Sequence, residues 1–164
     1  MLNKRSMIHS TNRTKGFTLI ELMVVIGIIS LMLGLSINGI NSLLQWSKLN
    51  RTAVLLCSEL KNTQSRAFYE GVCYKIEFQP TFDCPTLNKY KIFKEYELCK
   101  EIKLEGVELF KTNFTDNRVR FNPNGVPSMG GTVTLKNSRG KILYVIMTPV
   151  TARVRVSPDP PENW

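Results

Sequence analysis

Few side chains in this sequence have the type and spacing that catalysis requires. The only histidine is His9, so the chain after residue 16 has no imidazole, the group that most often transfers protons near neutral pH. Asp83 and Asp116 are isolated acids in loop-like contexts. The sequence contains no glycine-rich phosphate loop, no nucleophile beside a base and no metal-ligand cluster. We therefore predict that the protein is not an enzyme and binds no cofactor.

The four cysteines, Cys57, Cys73, Cys84 and Cys99, could form disulfides or bind zinc. Zinc sites usually use closely spaced cysteine pairs or histidines, and this set has neither, which disfavours a metal. Four cysteines allow three complete pairings, and sequence cannot choose among them. Cys73 is expected on the outer face of a strand and Cys57 beside a buried helical stripe, which makes a bridge between them awkward. We predict a disulfide between Cys84 and Cys99 and a free thiol at Cys57.

One carboxylate, Glu21, lies inside a long apolar run. Residues 17–37 contain no other charge, and no charged residue occurs from Leu22 to Ser47. A helix of about 21 residues extends roughly 30 Å, the thickness of the hydrocarbon core of a bilayer. A lone carboxylate at such a position costs about 2.5–3.5 kcal/mol on insertion scales. The run is therefore predicted to be a membrane helix in which Glu21 requires a positive partner.

The positive charge of the chain is unevenly distributed. The 164 residues carry a formal charge of +9, with 43% apolar and 21% charged residues, the composition of an ordinary folded protein. The four cations Lys4, Arg5, Arg13 and Lys15 precede the apolar run without any acid, which leaves +5 for residues 17–164. This flank predicts a cytoplasmic N-terminus and an extracytoplasmic C-terminal part. A plain signal peptide is the alternative, but its apolar region spans only about 7–15 residues.

The residues at the boundary between the basic flank and the apolar run resemble a known family. Lys15-Gly-Phe-Thr-Leu-Ile-Glu-Leu-Met-Val-Val-Ile26 is similar to the N-terminus of type IV prepilins and type II secretion pseudopilins. The resemblance implies that a prepilin peptidase cuts between Gly16 and Phe17 and methylates the new amine of Phe17. It also implies that Glu21 neutralises the N-terminal amine of a neighbouring pilin or pseudopilin in a helical filament, which an inner-membrane platform assembles.

The helix is predicted to continue past the membrane segment. Apolar residues recur every three or four positions as far as Ala67, no proline occurs before residue 80, and Gly71 is a suitable terminator. One helix is therefore expected from about residue 17 to 69. The predicted organisation is a leader at 1–16, a membrane and assembly helix at 17–44 and a globular domain at 45–164. If Met7 is the true start, the leader has 10 residues.

After Gly71 the apolar period changes from 3.6 to 2 residues, which is typical of strands. Strands are predicted at Val72–Phe78, Tyr90–Tyr96, Gly106–Lys111, Arg118–Phe121, Thr132–Lys136, Lys141–Thr148 and Ala152–Val156. Asn137 to Gly140 forms a four-residue hairpin turn. A long helix followed by six or seven strands predicts an α+β, pilin-like fold with an antiparallel sheet packed on the second half of the helix.

Spaced motifs in the globular part resemble the GspH/FimT-type pseudopilins and minor pilins. They are Ser65–Gly71, Val119–Gly125, Gly131–Leu135, Arg139-Gly140 and Ala152–Val156. FimT-type minor pilins are associated with DNA capture through a C-terminal Gly-Arg-x-Arg element, which Ala152-Arg-Val-Arg155 resembles. Alanine replaces the glycine here and tolerates a positive φ poorly, so the turn geometry at Ala152 is left open.

Seven C-terminal cations form a second candidate site, and no acid occurs between Asp116 and Asp159. The set is Arg118, Arg120, Lys136, Arg139, Lys141, Arg153 and Arg155. If the C-terminal strands are neighbours, these side chains could share one face and bind double-stranded DNA. The alternatives are solvated arginines that protect a sheet edge, or a different anionic partner.

Three hypotheses follow for the function. The first is a minor pilin or pseudopilin that is anchored by one pass in the inner membrane and then assembled into a pilus or pseudopilus. The second adds DNA binding to that role. The third is a signal-anchored extracytoplasmic domain that binds carbohydrate or protein and does not assemble. The sequence does not distinguish an adhesive pilus, a DNA-uptake pilus and a secretion pseudopilus.

Overall fold

The computed structural model describes residues 16–149 and 152–161, with the backbone alone for residues 35–38. Most of the predicted leader therefore lies outside the described residues. The chain divides into two compact units, residues 1–40 and 41–164. A single α-helix, α1 (Leu19–Glu70), contributes to both units. The predicted helix is confirmed, and Gly71, with a φ of 65°, ends it as expected.

Within the first unit, α1 exposes its apolar side chains. Every described large apolar residue from Phe17 to Ile40 is between 44% and 84% exposed. Thr18 caps the start of α1, because its Oγ1 accepts a hydrogen bond from the backbone N–H of Glu21 at 3.3 Å. Among the described residues, α1 is the one helix long and apolar enough to cross a membrane.

The described residues of the second unit form eight strands in two antiparallel sheets. The strands are β1 (Tyr74–Gln79), β2 (Lys89–Lys94), β3 (Glu97–Lys103), β4 (Val107–Thr112), β5 (Arg118–Phe121), β6 (Gly131–Asn137), β7 (Ile142–Met147) and β8 (Val154–Ser157). The first sheet has the order β3-β2-β1-β5 and the second has the order β4-β6-β7-β8. The predicted α+β class with antiparallel sheet is confirmed, and the structure adds that the strands divide into two sheets.

All seven predicted strands are present, and β3 is an additional one. It lies at the edge of the first sheet, and six of its seven side chains are exposed. An edge strand with nearly all its side chains in solvent has no apolar alternation, which is why the sequence pattern did not reveal it. The two sheets meet where the backbone N–H groups of Thr81 and Phe82 donate to the carbonyls of Leu109 and Phe110.

Both sheets bury their apolar faces against residues 41–70 of α1. The helix contributes Leu49, Ala53, Leu56, Leu60 and Ala67, all at most 1% exposed. The strands contribute Tyr74, Ile76, Phe78, Val119 and Phe121 from the first sheet, and Leu109, Val133, Leu135, Leu143, Val145 and Val154 from the second. The predicted helical stripe is therefore confirmed.

Candidate functional site

The start of α1 places the predicted processing and assembly residues close together. Gly16 and Phe17 precede the helix in non-helical conformation, and the Phe17 side chain is 84% exposed. Glu21 lies in the first helical turn. Among the residues that the structure describes, its carboxylate forms no ion pair. An exposed segment at the predicted cleavage position is therefore followed, one helical turn later, by a carboxylate without an ion pair among the described residues.

Thr18 is a helix-capping residue that the sequence patterns above did not single out. The spacing Thr18-Leu-Ile-Glu21 is the signature of a capping box, and that pattern could have identified it. Only half of the box forms, because the described hydrogen bonds include Glu21 N–H to Thr18 Oγ1 but not the reciprocal bond to the carboxylate. The cap therefore uses the backbone of Glu21 and leaves its carboxylate free for another partner.

The two arginines of β5 lie in a different sheet from the other candidate cations. β5 pairs with β1, so Arg118 lies opposite Glu77 and Arg120 lies opposite Lys75. Arg118 also forms an ion pair with Asp116. The shared face predicted for all seven cations required β5 to neighbour the C-terminal strands, and that condition is not met.

The cations of the second sheet form two groups at opposite ends of β7. Lys136 and the hairpin residues Arg139 and Lys141 lie at one end, since Lys136 pairs with Ile142. At the other end, Arg155 pairs with Ile146. Four residues along a strand separate positions by about 13 Å. The second sheet therefore presents two basic surfaces and not one.

Arg153 and Arg155 flank the buried Val154 and are both exposed, as the alternation predicted. Neither forms an ion pair with a carboxylate among the described residues. The preceding Ala152 has a φ of 50°, so alanine adopts the left-handed conformation that glycine would adopt. The Arg153 carbonyl accepts a hydrogen bond from the Thr148 N–H at 3.0 Å. The backbone thus holds both side chains outward.

All four cysteines are free thiols, so the predicted Cys84–Cys99 disulfide is not formed. Cys84 lies in the β1–β2 loop, near the strand ends where Lys89 pairs with Lys103. Cys99 is four residues from Lys103 along β3, about 13 Å away at strand spacing. The Cys84 thiol instead lies 3.2 Å from the Thr86 hydroxyl, and this hydrogen bond lowers the pKa of Cys84. Cys57 is a free thiol, as predicted.

The comparisons with known proteins bear on the N-terminal segment. Residues 11–37 match the model for the prokaryotic N-terminal methylation motif. No curated protein and no solved structure matches the chain. The described residues contain no group of three or more His, Cys, Asp or Glu side chains that could hold a metal ion. The matched range includes Gly16, Phe17 and Glu21.

Proposed function

Because its methylation motif supports a type IV pilin-like protein, we propose that the chain is a minor pilin or pseudopilin of a type IV pilus or type II secretion pseudopilus. In this role a prepilin peptidase removes residues 1–16 and methylates Phe17. The long apolar helix fits a single-pass anchor in the inner membrane. The C-terminal unit is then extracytoplasmic, and the protein has no catalytic activity of its own.

The observation that carries this proposal is the matched motif at the start of α1. An uncompensated carboxylate in an apolar segment is costly in lipid, and a cation brought by a second copy of the segment would offset that cost. The free amine created at Phe17 is such a cation. Assembly on a membrane platform would therefore bring Glu21 its partner when the subunit joins other pilins or pseudopilins.

Mass spectrometry of the mature N-terminus tests the proposal. We expect the chain isolated from membranes to begin with N-methylated Phe17. A Gly16→Val chain should remain uncut, because the branched side chain crowds the bond to be cleaved. A mature chain that begins at another residue, or an unmethylated one, would favour the signal-anchored binding domain and contradict the prepilin interpretation.

DNA capture is a second candidate function, and the conformation of Ala152 favours it. The left-handed backbone at this position preserves the turn that the family's glycine would make, although the side chain differs. Arg153 and Arg155 follow it, exposed and unpaired among the described residues. The candidate DNA site is accordingly reduced from seven cations to this pair at the edge strand β8.

Salt-dependent binding of a short DNA duplex to the full chain in detergent tests this second candidate. Each phosphate contact contributes about −0.9 to the slope of log K against log salt. Arg153→Gln/Arg155→Gln should therefore make the slope shallower by about 1.8. The matched control Arg118→Gln/Arg120→Gln, on the other sheet, should bind DNA like the wild type. Equal slopes for the wild type and the β8 variant would eliminate the site.

A further inference from the structure

Three chain segments meet at the end of the second unit where its part of α1 begins. Lys141 Nζ lies 5.4 Å from the centre of the Trp46 ring, which brings the β6–β7 hairpin to the helix. Lys48 lies beside Gly106 in the β3–β4 turn. We define the collar as Trp46, Lys48, Arg139 and Lys141, all of which are exposed.

The collar carries three cations, Lys48, Arg139 and Lys141. None of them forms an ion pair with a described carboxylate. Among the described residues, Glu105 and Glu108 lie on the β3–β4 turn and the start of β4, at this end of the unit. Glu108 lies opposite Lys136 across β4 and β6 and accepts a hydrogen bond from Thr81 at 2.5 Å, which leaves Glu105 as the acid that faces solvent. The local charge, with Lys136 included, is therefore positive.

The collar begins where the long uncharged segment of the sequence ends, and this position indicates the chemistry of its partner. The uncharged stretch from Leu22 ends at Ser47, so Lys48 is the first charge after the apolar segment and Trp46 stands just before it. As a helix, these 26 residues measure about 39 Å, close to the thickness of a bilayer with its headgroups. Tryptophan is enriched at this level of membranes because its ring is apolar and its N–H is polar.

We propose that the collar binds anionic phospholipid headgroups on the side of the membrane where α1 emerges. The inference rests on the membrane anchoring in the proposed function. It assigns Arg139 and Lys141 to lipid phosphates and not to DNA, because Trp46 and the adjoining apolar segment suit an interface between hydrocarbon and water. Cations held at headgroup level gain affinity for anionic lipids, and salt weakens this attraction.

Fluorescence of Trp46 in lipid vesicles tests the proposal with the full chain. Trp164→Phe leaves Trp46 as the only tryptophan. The chain is reconstituted in phosphatidylcholine alone or with one-third phosphatidylglycerol, and flotation first establishes insertion. Acrylamide quenching of Trp46 should be about twofold weaker with phosphatidylglycerol present. About 0.5 M NaCl should abolish this difference between the two lipids.

Matched variants separate the collar from general charge effects. Lys48→Gln/Arg139→Gln keeps the contact between Lys141 and Trp46 and should remove the difference between the lipids. Arg153→Gln/Arg155→Gln removes the same charge elsewhere and should preserve it.

Several outcomes would overturn the assignment. Equal quenching in both lipids after successful flotation would contradict lipid binding by the collar and leave membrane anchoring intact. A chain that floats with neither vesicle would contradict membrane anchoring as well. Loss of the lipid difference in the β8 control would show that net charge, and not the collar, is responsible. Recovery of quenching on addition of a short DNA duplex would assign these cations to nucleic acid.

Discussion

The two parts of α1 have the same secondary structure and opposite surroundings. From Leu19 to Ile40 its described large apolar side chains are all exposed, Leu31 at 73% for example. From residue 49 onward a stripe including Leu56 and Leu60 is about 1% exposed beneath two sheets. The comparison teaches that one part of the helix is buried by its own chain, whereas the apolar side chains of the other part are not covered by the described residues and fit a membrane anchor.

The largest effect is expected for a substitution in the exposed part of α1 that prevents assembly into filaments. Glu21→Gln keeps the shape of the side chain but removes its charge. Under the proposed function, the amine of the neighbouring subunit then loses its partner. Breaking a buried ion pair costs about 3–5 kcal/mol, and about 1.4 kcal/mol is a factor of ten. We expect incorporation into filaments, measured by immunoblotting of sheared filaments, to fall at least about a hundredfold.

Thr18→Ser is the control for Glu21→Gln because it retains the hydroxyl that caps α1. It should assemble like the wild type. If Glu21→Gln also assembles normally, its charge has no role in the filament.

A matched pair of leucine substitutions measures the difference between the two parts directly. Leu56→Ala leaves a cavity in the core and should lower the free energy of unfolding of the second unit by about 2–5 kcal/mol. Leu33→Ala removes the same atoms from a side chain that is 62% exposed and should change it by less than about 0.5 kcal/mol. Urea unfolding of the full chain in detergent, followed by near-UV circular dichroism, provides the measurement. Equal effects would contradict the division into two regions.

A smaller effect is expected at Ala152, which has a left-handed backbone conformation in the second unit. A left-handed conformation costs a non-glycine residue about 1–2 kcal/mol, and glycine loses about 0.5–1 kcal/mol more backbone entropy on folding. Ala152→Gly should therefore stabilise the second unit by about 0.5–1 kcal/mol in the same unfolding assay. Ala53→Gly, inside the helix, should instead destabilise it by about 1 kcal/mol or more. A destabilising Ala152→Gly would contradict the positive φ.

The smallest expected effect is a pH dependence at the C-terminal end of α1. The Lys94 ammonium, 2.7 Å from the Glu70 carboxylate, and the Tyr74 hydroxyl lower the pKa of Glu70. A lowered folded-state pKa means that this stabilisation is complete above the ordinary glutamate pKa of about 4.3 and is lost as the pH falls through the folded value. Both groups are substantially exposed, so the loss is expected to be small.

Urea midpoints at pH 7, 5 and 3 test this dependence. The loss of stability between pH 5 and pH 3 should be smaller in Lys94→Gln than in the wild type, because the other carboxylates titrate alike in both. An identical loss in the two proteins would show that this pair contributes nothing to acid sensitivity.

Much of the fold could be predicted because helix and strand patterns are local. The stripe ending at Ala67, the glycine at 71 and the alternation of Val119 and Phe121 each depend on neighbours within a few residues. β3 could not be predicted, because it faces solvent and lacks a periodic signal. The division into two sheets was also beyond prediction, since β5 pairs with β1 across more than 40 residues of chain and no local pattern records that choice.

The two candidate sites also differ in whether they depend on neighbouring residues or on residues distant in the chain. Gly16, Phe17 and Glu21 were predicted from sequence alone, because a peptidase signal and an apolar helix are patterns of consecutive residues, and residues 11–37 match the methylation-motif model. Tertiary structure alone decided which cations are neighbours: it separated Arg118 from Arg155 and placed Lys141 over Trp46. Net charge depends only on composition, whereas a binding surface depends on pairing between strands that are distant in the chain. For that reason the sequence determined the long apolar segment, and the fold determined where the basic surfaces lie.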